Sequence, residues 1–199
     1  MKKIIIFLSV LFCFTTIKAQ EKHVIKETFE SNKYQWDEFY ESNGTASIQD
    51  GYLLLQNKDK ISMLRSVVEL PINTSSNFKL LFKMKVKKIT ESDWFGIVYN
   101  YEDENNFNCL LIQEKKFKII NNVNGVYSVS RTGGIILKSG KEKDVIIEME
   151  KRGNKIIFSV DNMEIINITK NIVNNTFGCC VSGENTVKVD ELIIEQIGD

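Results

Sequence analysis

Phe78-Lys79-Leu80-Leu81-Phe82-Lys83-Met84-Lys85-Val86 is the stretch that decides the fold class. Phe78, Leu80, Phe82, Met84 and Val86 fall on every second position. Lys79, Lys83 and Lys85 fill positions between them, with Leu81 the apolar exception. Successive side chains of a β-strand point to opposite faces, so this segment has one apolar face and one largely basic face. The same period continues on both sides, broken by turn signals every ~8–12 residues, which marks a sandwich or barrel.

Upstream, Tyr52–Gln56 follows an Asp50-Gly51 turn. Downstream, Trp94–Tyr101 and Phe107–Gln113 flank the polar run from Glu102 to Asn106, and Phe117–Asn121 and Val126–Arg131 flank Asn122-Val123-Asn124-Gly125. Val145–Glu150 and Ile156–Val160 flank Lys151-Arg152-Gly153-Asn154, and Asp161-Asn162 leads into Met163–Ile168. Phe177–Ser182 and Val187–Ile197 close the chain around Gly183-Glu184-Asn185. Gly and Asn tolerate the positive φ that tight hairpins need. Pro71, the only proline, falls between two expected strands, where it removes no ladder bond. No segment carries a capped 3.6-residue period, so the expectation is at most a short helical turn.

The ends and the composition bound the rest. Residues 1–20 read as an export leader: Lys2 and Lys3, then an apolar run from Ile4 to Phe14, then Lys18-Ala19-Gln20. The run is too short to span a bilayer comfortably. Phe12 stands where a lipidation site needs a small residue before Cys13. The expected mature domain is 21–199, periplasmic, cell-surface or extracellular, with no transmembrane segment. The 199-residue chain has 26 basic and 26 acidic residues, and loss of the leader leaves a net charge of −3. That balance makes no case for nucleic acid. Cys109, Cys179 and Cys180 remain. Adjacent strand residues face opposite ways, so Cys179 and Cys180 cannot both meet Cys109, and buried thiols are the expectation.

From Glu27 onward the chain resembles the laminin-G-like, concanavalin A-like jelly-roll modules of secreted bacterial proteins. The residues that carry the likeness are Thr28-Phe29 with Trp36; Ile48 to Leu53; Phe95-Gly96-Ile97-Val98-Tyr99 with Asp103, Asn105-Asn106-Phe107 and Leu110-Leu111-Ile112; Gly153 to Asn162; and Phe177-Gly178 with Val187 to Leu192. Asp161-Asn162 stands where the family commonly has Asn-Gly. The resemblance implies an all-β antiparallel sandwich of jelly-roll type. It also implies carbohydrate as a partner, raises a structural calcium ion, and leaves open glycan hydrolysis or protein adhesion.

Chemistry narrows the choice. His23 is the only histidine, so a His-based triad or a His-rich metal site has no material. Gly134 to Lys141 resembles a phosphate loop only in part: its spacing is one residue too long and Glu142 replaces the magnesium-holding hydroxyl. Glycoside hydrolysis needs two carboxylates across the scissile bond. Glu148 and Glu150 share one strand face, but Gly153 stands where a third acid of the glycanase pattern would be, and both read as solvated outward charges. No catalytic residue is assigned.

Binding is the remaining reading. Sugars stack on aromatic rings and hydrogen-bond to amide and charged groups. Alternation assigns Phe95, Ile97, Tyr99 and Tyr101 to the core. It sends Trp94, Gly96 and Asn100 to the open face. The candidate ligand-binding residues are therefore Trp94, Asn100, Asn106, Tyr127 and Arg131, on a shallow groove of the open face or its rim loops.

Overall fold

The structure is a computed structural model that describes residues 22–138 and 140–197. The expected leader, Cys13 and Ser139 lie outside the described residues. The strands are β1 Lys22–Glu27, β2 Phe39–Glu41, β3 Gly44–Gln49, β4 Tyr52–Asn57, β5 Met63–Glu69, β6 Asn77–Ile89, β7 Trp94–Asp103, β8 Asn106–Ile112, β9 Lys116–Val123, β10 Val126–Gly134, β11 Gly140–Arg152, β12 Lys155–Val160, β13 Met163–Thr169, β14 Thr176–Ser182 and β15 Thr186–Ile197. No α-helix occurs among the described residues, and none is long and apolar enough there to cross a membrane.

The first sheet runs β13-β12-β11-β6-β15-β4-β3-β2, with β1 beside the second half of β15. The second runs β10-β9-β8-β7-β14-β5. Every pairing is antiparallel. Phe78, Leu80, Phe82, Met84 and Val86 all point inward, none more than 1% exposed, and they meet Phe95, Ile97, Tyr99, Leu110, Ile112 and Phe177 of the other sheet in one core. This is the antiparallel jelly-roll sandwich that the alternation implies.

The hairpins turn where Gly, Asn and Asp take positive φ: Asp50-Gly51 at 50° and 74°, Asn124-Gly125 at 51° and 78°, and Asp161-Asn162 at 48° and 65°. The last pair has the two positive φ values of the tight hairpin turn without a glycine, which Asn and Asp tolerate best.

Strand β5 was hidden in the sequence. It holds Val67 and Val68 side by side, and both are buried because both of its faces are covered. Glu148 and Glu150 do point outward from the first sheet, but Glu148 is only 7% exposed and paired with Lys79, so it is not a solvated charge. Lys79 leans over it from the neighbouring strand β6 and pairs its charge. Glu150 is held in a fork by Arg152, at 2.6 and 2.8 Å, and Glu191 pairs with Lys26 and Lys83.

Candidate functional site

The outward face of the second sheet is built differently from that of the first. Its cross-strand rows follow the register. One row is Arg65, Cys180, Gly96, Leu111 and Lys118; the next is Val67, Gly178, Val98, Cys109 and Ile120. Beyond them Phe107, Asn122 and Tyr127 form a third. Val98, Cys109 and Cys180 are fully buried although they face away from the core, and Leu111 is 2% exposed. They form a second apolar cluster with Val67, Phe107 and Ile120, against which Met63, Trp94 and Tyr101 pack.

Long side chains cover this floor. Lys118 reaches from β9 across β8 to β7, where its Nζ lies 4.0 Å from the ring centre of Trp94. Arg65 reaches from β5 to β8, where its guanidinium carbon lies 4.5 Å from the ring centre of Phe107. Their apolar stems shield the floor while the cations rest on ring faces. Burial holds the Lys118 ammonium below the usual lysine range. Tyr101 stands 6.2 Å from Phe107, and Tyr127 meets Phe107 edge-on at 6.0 Å and 76°. Burial raises the Tyr101 phenol, and Arg65 offsets part of that rise.

Asn122 is 2% exposed. Its amide nitrogen donates to the Glu104 carbonyl at 3.0 Å, while its Oδ1 has no donor among the described residues. A cleft of about 510 Å³ opens beside this face, lined by Arg65, Tyr101, Met63, Asp37, Glu41 and Glu104 among others. A larger cavity of about 860 Å³ lies at a different end. It is lined by Lys58, Lys87, Lys88 and Lys141 and carries no aromatic ring.

The five expected site residues separate. Trp94 and Tyr127 are on this face, Trp94 half-buried and Tyr127 55% exposed. Asn100 is not. Its φ of 50° marks a bulge in β7, where the pairing with β8 shifts, and the alternation reverses there. Asn100 thus turns to the sandwich rim. It donates to Asn108 Oδ1 at 3.3 Å and the Asn171 carbonyl at 3.0 Å, and accepts from Val173 N at 2.9 Å. Tyr101, expected in the core, turns outward in its stead. Asn106 fastens turns: it donates to Asp103 at 3.1 Å and accepts from Asn124 N at 3.0 Å. Arg131 follows a second bulge and pairs with Ile119, whose side chain points into the core, so it is on the side away from Trp94. The residues that sequence reasoning missed are Arg65, Lys118 and Asn122. The alternation of Met63, Arg65 and Val67 was the available signal for Arg65.

Among the described residues no three His, Cys, Asp or Glu side chains gather as a carboxylate-built calcium site would need. No protein-family model and no curated protein matches the chain. Solved structures do. A protein of unknown function with a galectin-like fold from Bacillus subtilis aligns at TM-score 0.60 with 9% identity, over 90% of this chain and 99% of that one. The CBM2 module of the evolved Dit of Lactobacillus casei BL23 phage J-1 aligns at 0.59 with 11% identity, over 90% and 98%. A xylan β-1,4-xylosidase from Bacillus halodurans C-125 aligns at 0.57 with 13% identity, over 85% of this chain but 38% of its own length. Identities this low speak for the fold alone, a lectin-like β-sandwich.

Proposed function

We propose that this chain is an exported, non-catalytic carbohydrate-binding module whose site is the outward face of the second sheet. One observation carries the reading: Trp94, Phe107, Tyr101 and Tyr127 gather on one face, with Lys118 and Arg65 lying over two of the rings. Rings offer stacking area for the C–H faces of a sugar, and the phenols and the cations offer hydrogen bonds to its hydroxyls. The likeness to the phage CBM2 module adds support by fold analogy. The narrower laminin-G-like assignment and the export route rest on the sequence pattern. Hydrolysis is the weaker alternative, because Glu148, Glu150 and Glu191 lie on the first sheet, away from the rings, and each is engaged by a cation of that same sheet.

A glycan array of the expressed protein, run with calcium and again with chelator, tests this. Reproducible binding that falls on Trp94→Ala supports the reading, and loss with chelator would add a metal to it. Silence across diverse glycans would instead favour a protein-interaction module.

A further inference from the structure

We propose that this face selects oligosaccharides bearing carboxylate groups, with Lys118 and Arg65 as its charge-pairing residues. The inference rests on the carbohydrate reading and deepens it.

Three observations carry it. The first is an excess of unpaired positive charge. No outward position of β8, β9 or β14, nor of β7 from Trp94 to Val98, holds an acid: they carry Trp94, Gly96 and Val98; Phe107, Cys109 and Leu111; Lys116, Lys118, Ile120 and Asn122; Thr176, Gly178, Cys180 and Ser182. Among the described residues neither Lys118 nor Arg65 has an ion-pair partner, although Asp37 and Glu104 line the cleft next to Arg65. This contrasts with the first sheet, where Lys79, Lys83 and Lys26 all meet carboxylates.

The second observation is where the charges rest. Each lies on the ring that a sugar would need, Lys118 on Trp94 and Arg65 on Phe107. A neutral sugar would have to push a cation off its ring and could return to it only a neutral hydroxyl acceptor, a weaker partner than a carboxylate. A carboxylated sugar draws the cation to its own charge, and the ring is uncovered for stacking in the same event. Arg65 can take both carboxylate oxygens in its fork, and Lys118 presents a compact charge to one.

The third observation is spacing. Cys109 pairs with Val98, which puts Phe107 level with position 100, six residues along β7 from Trp94. At strand rise the two cation–ring stations are roughly 20 Å apart. One ligand can engage both only as an oligomer with repeated charge, which describes an oligouronate.

Calorimetric titration of the expressed full chain tests the inference. The probes are short oligomers of galacturonate, glucuronate and mannuronate, each beside its methyl ester, which keeps the ring and removes the charge. At least one free acid should bind about tenfold or more tightly than its ester at low salt, and the gap should close as salt rises. Lys118→Ala and Arg65→Ala should each weaken the free acid about tenfold and the ester far less. The salt series needs no variant, so a poorly folded mutant does not decide the outcome. Esters that bind as well as acids would overturn the charge selectivity and leave carbohydrate binding standing. No binding of any sugar, charged or neutral, would overturn both.

Discussion

A methyl group at position 96 would stand 1.8 Å from the Leu110 carbonyl oxygen, so Gly96 is required by the backbone across the strand. Asn100 serves the fold in a different way. Its buried amide makes three bonds at the sandwich rim, and its backbone takes a left-handed φ. Asn100→Ala should therefore cost about 2–4 kcal/mol, from unpaired partners plus strain, measured by urea unfolding. Glycan affinity of the folded fraction should be unchanged, since the side chain points away from Trp94. A loss of affinity at unchanged stability would reverse this assignment.

At the scale of elements, the β7–β8 turn and the β9–β10 turn are tied together by Asn106 and by Gly125 N, which donates to the Asn105 carbonyl at 3.0 Å. Asn106 donates to both oxygens of Asp103, and Asn105 N adds a bond of 2.7 Å. The side-chain amide of Asn106, followed by the backbone N–H of Asn105, holds the Asp103 carboxyl below its ordinary value of 3.8. A depressed folded value contributes stability above the unfolded value, and that contribution is lost as pH falls through the folded one. Carboxyl NMR titration should give Asp103 a midpoint below 3.8, and Asn106→Ala should return it toward that value. An unmoved midpoint would show that the amide does not hold the carboxylate.

For the whole molecule, the thiols report on integrity. Cys179 points into the main core, while Cys109 and Cys180 face outward in the second cluster, and all three are free and fully buried. Cys109 and Cys180 are on β8 and β14, with β7 between them, and are level with Val98 and Gly96 of β7, so two strand spacings and two residues of rise put their Cα atoms roughly 11–12 Å apart, beyond disulfide reach. Burial pushes the Cys179 thiol far above its usual range. A thiol reagent should leave these three residues unmodified in the native protein and label them on denaturation, and Tm should be the same with and without reductant. Reductant-dependent Tm would mean that a bridge forms and that β7 is displaced. The two sheets divide the labour: one carries ion pairs with a cation–ring contact, Lys188 over Tyr52, the other a cluster of rings with Lys118 and Arg65 over it, and a single core joins them.

Strict alternation in Phe78 to Val86 was enough to determine a strand with one face buried, because side-chain direction has a period of two regardless of what packs on it. The same holds for the glycine and asparagine turns, whose φ preferences are local. Trp94 was legible as an outward residue for that reason. Position 100 was not, because a single bulged residue reverses the phase of all that follow, and only the pairing of β7 with β8 reveals it. Glu148 was legible in direction but not in solvation, since its partner Lys79 comes from β6, which lies far away in the chain. Arg65 and Lys118 belong to strands with three others between them in the sheet, and they are distant in sequence. The placing of Arg65 over Phe107 and of Lys118 over Trp94 is a property of strand order, which local residue patterns do not encode.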